Sequence, residues 1–165
     1  MTTFEAAIEV VLKNEGGYVC DPDDAGGETC FGISKRSYPA VDIKHLTRDQ
    51  AVELYRRDFW RPDYEKLTQP LATKCLELAV HCGVAQGIRL VQQALRALGD
   101  PVVTVDGLFG PQTLQAIKLE PPSALLAAIR VEQCRHYLDI VGAKPEQKKF
   151  FLGWVKRALI ERRAR

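Results

Sequence analysis

Apolar residues at Phe4, Ala7, Ile8, Val11 and Leu12 follow the i, i+3, i+4, i+7, i+8 spacing of one face of a helix. Helical segments punctuated by glycine and proline then run through the rest of the chain. A capping box of Thr2 and Glu5 is expected to open the first helix, and Gly16 and Gly17 to end it. Thr47 with Gln50 forms a second capping box ahead of AVELYRRDFW, and Pro70 starts PLATKCLELAVHCGV. Gly83 interrupts that element, Gly99 stops GIRLVQQALRAL, and Pro111 suits the first position of PQTLQAIKL. A long helix from PSALLAAIRV is closed by Gly142. In the last helix Phe151, Trp154, Val155 and Ala158 share a face. Strand signals are confined to Tyr18–Val19 and Val102–Val105. The chain is therefore expected to be mainly α, with room for a small β-hairpin within residues 16–33.

What the helical pattern leaves over is EGGYVCDPDDAGGETCFGI, residues 15–33. Unstructured loops of this length are uncommon in compact domains unless they serve a function. This one also carries Tyr18, Val19, Phe31 and Ile33, which a solvated linker would not need. Glu15 follows a helical pattern, where the helix end carries partial negative charge. That position, with partial desolvation, would raise its pKa, as a general acid requires. The loop holds further carboxyls at Asp21, Asp23, Asp24 and Glu28. Asp21 and Asp23 flank Pro22 and suit turn-making. Gly26, Gly27 and Gly32 would let the chain turn tightly.

Composition narrows the partners. The chain has 165 residues, enough for one domain with a real core, and a net charge of +2, weak support for a nucleic-acid partner. Lys156, Arg157, Arg162, Arg163 and Arg165 cluster at the end, as a solvated helix terminus or as an attraction to an anionic envelope. The opening MTTFEAAIEV has neither the basic nor the apolar region of a signal peptide, and no apolar run reaches the length of a membrane span. Synthesis in the cytoplasm without stable membrane insertion is expected. Five cysteines, an odd number, point to free thiols. Cys75 and Cys82 are seven residues apart and suit a buried helix face, while Cys20 and Cys30 bracket the loop and could meet. The spacing of DPDDAGGE does not follow a calcium loop, so neither metal nor cofactor is expected.

EGGYVCDPDDAGGETCFGIS resembles the signature of glycoside hydrolase family 108, the N-acetylmuramidase or secretion-activator family, whose pattern reads EGGYxxDPxDxGGxTxxGI. The similarity continues through YRRDFW, LELAVHCGVAQGIRLVQQAL, VDGLFGPQT and FFLGWVKR. The spacing also resembles that of phage-type lysozymes, with Asp24 nine positions after Glu15 and Cys30 six further on, the threonine displaced by one to Thr29. The resemblance implies a lysozyme-like domain over residues 1–165, with a catalytic lobe at 1–83 and a peptidoglycan-binding helical lobe at 84–165. It implies a monomeric endolysin of phage or prophage type that reaches the wall after holin-mediated release. Its activity would be cleavage of the β-1,4 bond between N-acetylmuramic acid and N-acetylglucosamine. Glu15 is carried over as the acid. Glycosidic cleavage also needs a second group that steadies the oxocarbenium-like centre or activates water; Asp24 is the choice for it, with Asp21, Asp23 and Glu28 as rivals. Thr29 and Cys30 are candidates for positioning water or lining the site, and Gly26, Gly27 and Gly32 would let a sugar approach the backbone. Tyr18, beside Glu15, could stack on a sugar face.

In the second half, IRLVQQALRALGDPVVTVDGLFGPQTLQAI is similar to a helical peptidoglycan-binding motif with a Q-x-x-L helix and a DG-x-x-G-x-x-T turn. Asp106 and Gln112 would reach a bound glycan, or the motif is a turn that stabilises the fold. His81 reads as a structural histidine, Trp60, Tyr64 and Trp154 as packing residues, and Arg135 and Tyr137 are without assignment. Three other functions share these features: a lytic transglycosylase on the same bond, a non-catalytic wall-binding or secretion-assisting protein, and a chitinase.

Overall fold

A computed structural model describes residues 3–13, 19–20 and 28–159. The architecture is predominantly helical, with seven α-helices among the described residues and one small antiparallel sheet. Helix α1 spans Phe4–Leu12, α2 Arg48–Asp58, α3 Gln69–Cys82, α4 Val84–Ala97, α5 Pro111–Leu119, α6 Pro122–Ala143 and α7 Lys148–Leu159. Strands β1 (Val19–Cys20), β2 (Glu28–Cys30) and β3 (Ile33–Ser34) lie between α1 and α2 in the sequence.

Most helix boundaries follow from local chemistry. The Thr47–Gln50 capping box forms as expected, each side chain bonded to the other's backbone N–H. Gly83 adopts φ 82° and separates α3 from α4, and Pro111 stands at the start of α5. The cap of α1 differs from expectation. Thr3 is the N-cap and accepts the Ala6 N–H (3.2 Å), Glu5 pairs with Arg56 on α2, and Thr2 lies outside the described residues. Thr3 is favoured because its backbone is also held: its N–H donates to Gln69 Oε1 (2.8 Å) and its carbonyl accepts from Gln69 Nε2 (3.1 Å). The helix ends at Leu12, and Gly16 and Gly17 lie outside the described residues. Helix α2 stops at Asp58, before Phe59 and Trp60, and α6 runs through Gly142 to Ala143, two residues before Pro145.

The expected strand at Val102–Val105 is not one. Asp100 Oδ1 accepts the N–H groups of Val102 (2.8 Å) and Val103 (3.0 Å), an aspartate turn that occupies the donors a ladder would need. Val103 is buried while Val102 and Val105 are exposed, so the segment is a connector anchored by one side chain.

The core lies around α3, whose buried residues from Leu71 to Ala79 go round the helix because α1, α4 and α6 all pack on it. At its crossing with α4, a Cβ on Gly87 would sit 3.0 Å from the Leu78 carbonyl carbon, so glycine sets the closeness of the two helices. A run of edge-to-face rings joins the two halves: Phe4 to Trp60 (5.4 Å), Trp60 to Tyr64 (5.4 Å) and Tyr64 to Phe109 (5.3 Å). Tyr137 on α6 and Trp154 on α7 make a second ring pair at 5.4 Å, fixing the last helix. Trp60, Tyr64 and Trp154 thus take the packing roles expected of them. His81 lies beside α7, with Arg157 Nη1 3.1 Å from its Nδ1.

The loop between β3 and α2 is tied, through Tyr38 near its start, to the C-terminal end of α2. Asp58 accepts two bonds from Arg57 (2.6 and 2.7 Å) and one from the Tyr38 hydroxyl (2.8 Å). The Arg57 guanidinium, and then Tyr38, hold the Asp58 carboxyl below its usual range, while burial and Asp58 push Tyr38 up to about 12. Between the depressed folded pKa and the unfolded value of about 3.9, the unfolded chain binds more protons. The contribution of Asp58 is therefore complete above the unfolded value and disappears as pH falls through the folded one. The urea midpoints of wild type and Asp58→Asn are expected to differ at pH 6 and to converge towards pH 3.

Candidate functional site

The expected site centres on the segment after α1. Glu15, Tyr18, Asp24, Gly26 and Gly27 lie outside the described residues. What the structure shows is the frame on either side of them. Helix α1 is locked to α2 by the ion pairs Glu5–Arg56 and Glu9–Arg48 and to the start of α3 through Gln69. On the other side is the sheet, in which Val19 pairs with Thr29 and Cys20 with Glu28, then Thr29 with Ser34 and Cys30 with Ile33.

The β2–β3 connection is a two-residue hairpin made by Phe31 (φ 51°) and Gly32 (φ 77°). Positive φ at both central residues matches the right-handed strand twist. Glycine accepts this readily, but phenylalanine is strained there. Two contacts hold it: the Phe31 ring packs on the core, and the Tyr55 hydroxyl of α2 donates to the Phe31 carbonyl (2.9 Å). A buried tyrosine on α2 thus aims the hairpin. Nothing in the local sequence signals that role, because Tyr55 is 24 residues away.

Side-chain alternation along β2 separates the two candidates on it. Cys30 is buried, and its thiol lies 3.9 Å from the Leu46 carbonyl oxygen. Burial pushes that thiol's pKa up, so it remains protonated. Neighbouring residues on a strand face opposite sides, which turns the partly exposed Thr29 away from the core. Cys30 is a free thiol with a packing position, as are Cys75 and, half-buried, Cys82 on α3.

In the second half, Asp106 lies in the turn before α5 and Gln112 in the first turn of α5, and both are tied into one hydrogen-bonded junction. The organising residue is Gln92 of α4, which is 1% exposed. Its Nε2 lies 2.8 Å from Asp106 Oδ1, 3.1 Å from the Leu108 carbonyl and 3.2 Å from Thr113 Oγ1, while its Oε1 accepts the buried Gly107 N–H (2.9 Å). Asp106 also accepts the Leu108 N–H (2.8 Å). That bond, followed by the one from Gln92, lowers its carboxyl pKa. Gly107 has φ 81°, and a Cβ there would come within 2.9 Å of the Ala85 carbonyl oxygen, so only glycine fits. Gln112 donates to the Val102 carbonyl (3.1 Å). The DG-x-x-G-x-x-T pattern is thereby a turn closed on α4, and the glutamine of the Q-x-x-L pattern was its one sequence signal. Gln92→Ala leaves the Gly107 N–H buried without a partner. We expect a loss of about 2–3 kcal/mol, read as a melting temperature about 5–10 °C lower.

Comparison with known proteins is consistent along the chain. Residues 8–83 match the family model described as Glycosyl hydrolase 108, and residues 86–159 match the one described as Predicted Peptidoglycan domain. Among solved structures, SagA of Brucella abortus is similar, with a TM-score of 0.78 and 27% sequence identity over 94% of this chain and 88% of that one. The curated proteins gave no match. None of the helices among the described residues is long and apolar enough to cross a membrane. Residues 8–83 are thus similar to the glycosyl hydrolase 108 family and residues 86–159 to a predicted peptidoglycan domain, and with the likeness to SagA these matches support a peptidoglycan-hydrolysing enzymatic activity.

Proposed function

We propose that the enzyme cleaves the β-1,4 bond between N-acetylmuramic acid and N-acetylglucosamine, with Glu15 as proton donor to the leaving oxygen and Asp24 as its partner. The observation that carries this reading is the glycosyl hydrolase 108 match over residues 8–83, a span that includes both carboxylates. Glu15 follows the last residue of α1, Leu12, by three positions in the chain. A carboxyl near the negative end of a helix keeps its proton to higher pH, as a general acid must. Asp24 then steadies the positive centre or activates water.

Thr29, on the outward side of β2, is assigned to positioning water, and Tyr18, Gly26 and Gly27 to contact with the glycan. Cys30, Asp106 and Gln112 already hold packing or turn contacts, so any contact they make with the wall is subordinate to those. We further propose one lysozyme-like domain with a catalytic lobe at residues 1–83 and a wall-binding lobe at 84–165. The ring contact between Tyr64 and Phe109 supports treating the lobes as one unit. The setting proposed is a phage or prophage endolysin, a monomer that is made in the cytoplasm and meets the wall after a holin opens the membrane.

Digestion of purified peptidoglycan with mass spectrometry of the products tests the reaction. Fragments with reducing muramic-acid ends are expected. Anhydro-muramic ends would make the enzyme a transglycosylase, and reducing glucosamine ends would move the cut to the other bond.

A further inference from the structure

A groove of about 610 Å³ lies where α4, the Val103–Val105 connector and α6 meet. Its charged lining residues are Arg96, Arg135 and Glu132, two cations against one anion. Each arginine is held by a single nitrogen. Arg96 Nη1 donates to the carbonyls of Pro101 (3.2 Å) and Val103 (3.5 Å), and Arg135 Nη1 to Glu132 Oε1 (2.6 Å). A guanidinium carries five N–H donors in a planar fork, so both keep donors suited to a carboxylate. The anchoring bonds fix their direction in advance, which lowers the entropy lost on binding. Ala97 and Val105 add small apolar surfaces to the lining, with Val103 buried beneath at 1% exposed.

We propose that this groove binds the peptide stem of peptidoglycan, reading its free carboxylates with Arg96 and Arg135 and its alanine methyl groups with the apolar floor. This inference rests on the wall-hydrolase reading above and names a second element of the substrate. The stem is a short peptide that carries methyl side chains and free carboxylates, the two chemistries for which the lining has apolar surface and guanidinium donors. A bare glycan offers hydroxyl groups and ring faces, which aromatic side chains recognise, and none of the described lining residues is aromatic. The pairing would be a charge-assisted, two-pronged contact. It would hold the wall by its peptides while the catalytic lobe works on the sugars.

The test is calorimetric titration of the full chain with the tetrapeptide stem released from walls by an amidase, beside the same peptide with its carboxyls amidated. The free-carboxylate form is expected to bind about 10- to 100-fold more tightly. Arg135→Gln, at a side chain 64% exposed, is expected to remove most of that difference. Equal affinity for the two peptides, or no binding of either, would overturn the proposal. Sugar release from peptide-free glycan, followed in the same wild-type sample, fails if the hydrolase reading is wrong and does not depend on peptide binding, so the two failures can be told apart.

Discussion

Glu15→Gln is expected to slow wall hydrolysis by about 10²- to 10⁴-fold, the usual contribution of a positioned general acid. The substitution keeps size and shape and removes only the transferable proton. Folding should therefore survive, and so should association with the wall, because the residues assigned to the peptide stem are on α4 and α6. The consequence is a split between kcat and binding. Rate measured by release of soluble saccharide should collapse while the protein still sediments with purified walls. A residual rate within a few-fold of wild type would move the acid elsewhere, with Asp24 the next candidate.

Tyr64→Ala carries the largest expected stability effect. Tyr64 is 1% exposed, packed edge-on between Trp60 and Phe109, and it is where the first half of the chain meets the turn of the second. Removing the ring loses the transfer free energy of its surface and leaves a cavity that two neighbouring rings cannot collapse to fill. Losses for such changes are about 3–5 kcal/mol, and for a chain of this size the melting temperature would fall by about 10 °C or more. Loss of the 64–109 contact should also show in how the chain melts. Wild type is expected to unfold in one transition, while the variant's second half should lose protection against hydrogen exchange near Phe109 first. An unchanged melting temperature would mean that the ring run is incidental to the joint between the halves.

How much of this was legible in the sequence depends on whether a residue's partner is local. The Thr47–Gln50 box, the break at Gly83 and the start at Pro111 were readable because each is settled within four residues. Local spacing pointed to Thr2 because Glu5 stands three residues on, whereas the cap at Thr3 is backed by Gln69, far along the chain. Val102–Val105 has the β-branched look of a strand, yet Asp100 takes two of its backbone donors. The DG turn was recognisable, but that its hub is the buried Gln92 depends on how α4 packs. Likewise, the strained Phe31 is fixed by Tyr55, which no spacing rule connects to it. Around the candidate site, alternation along β2 sorts Thr29 from Cys30 once Cys30 is known to be buried. Glu15 and Asp24 rest on the sequence and the family match alone, because they fall outside the described residues.

The most direct measurement is a paired digestion of purified peptidoglycan by wild type and Glu15→Gln, with the released glycan ends identified by mass spectrometry and wall-bound protein assayed in the same tubes. Reducing muramic-acid ends are expected from wild type, almost none from the variant, and equal amounts of both proteins on the wall. Reducing muramic-acid ends appearing equally with both proteins would contradict the assignment of Glu15. No released ends from either, with both bound, would contradict the hydrolysis itself.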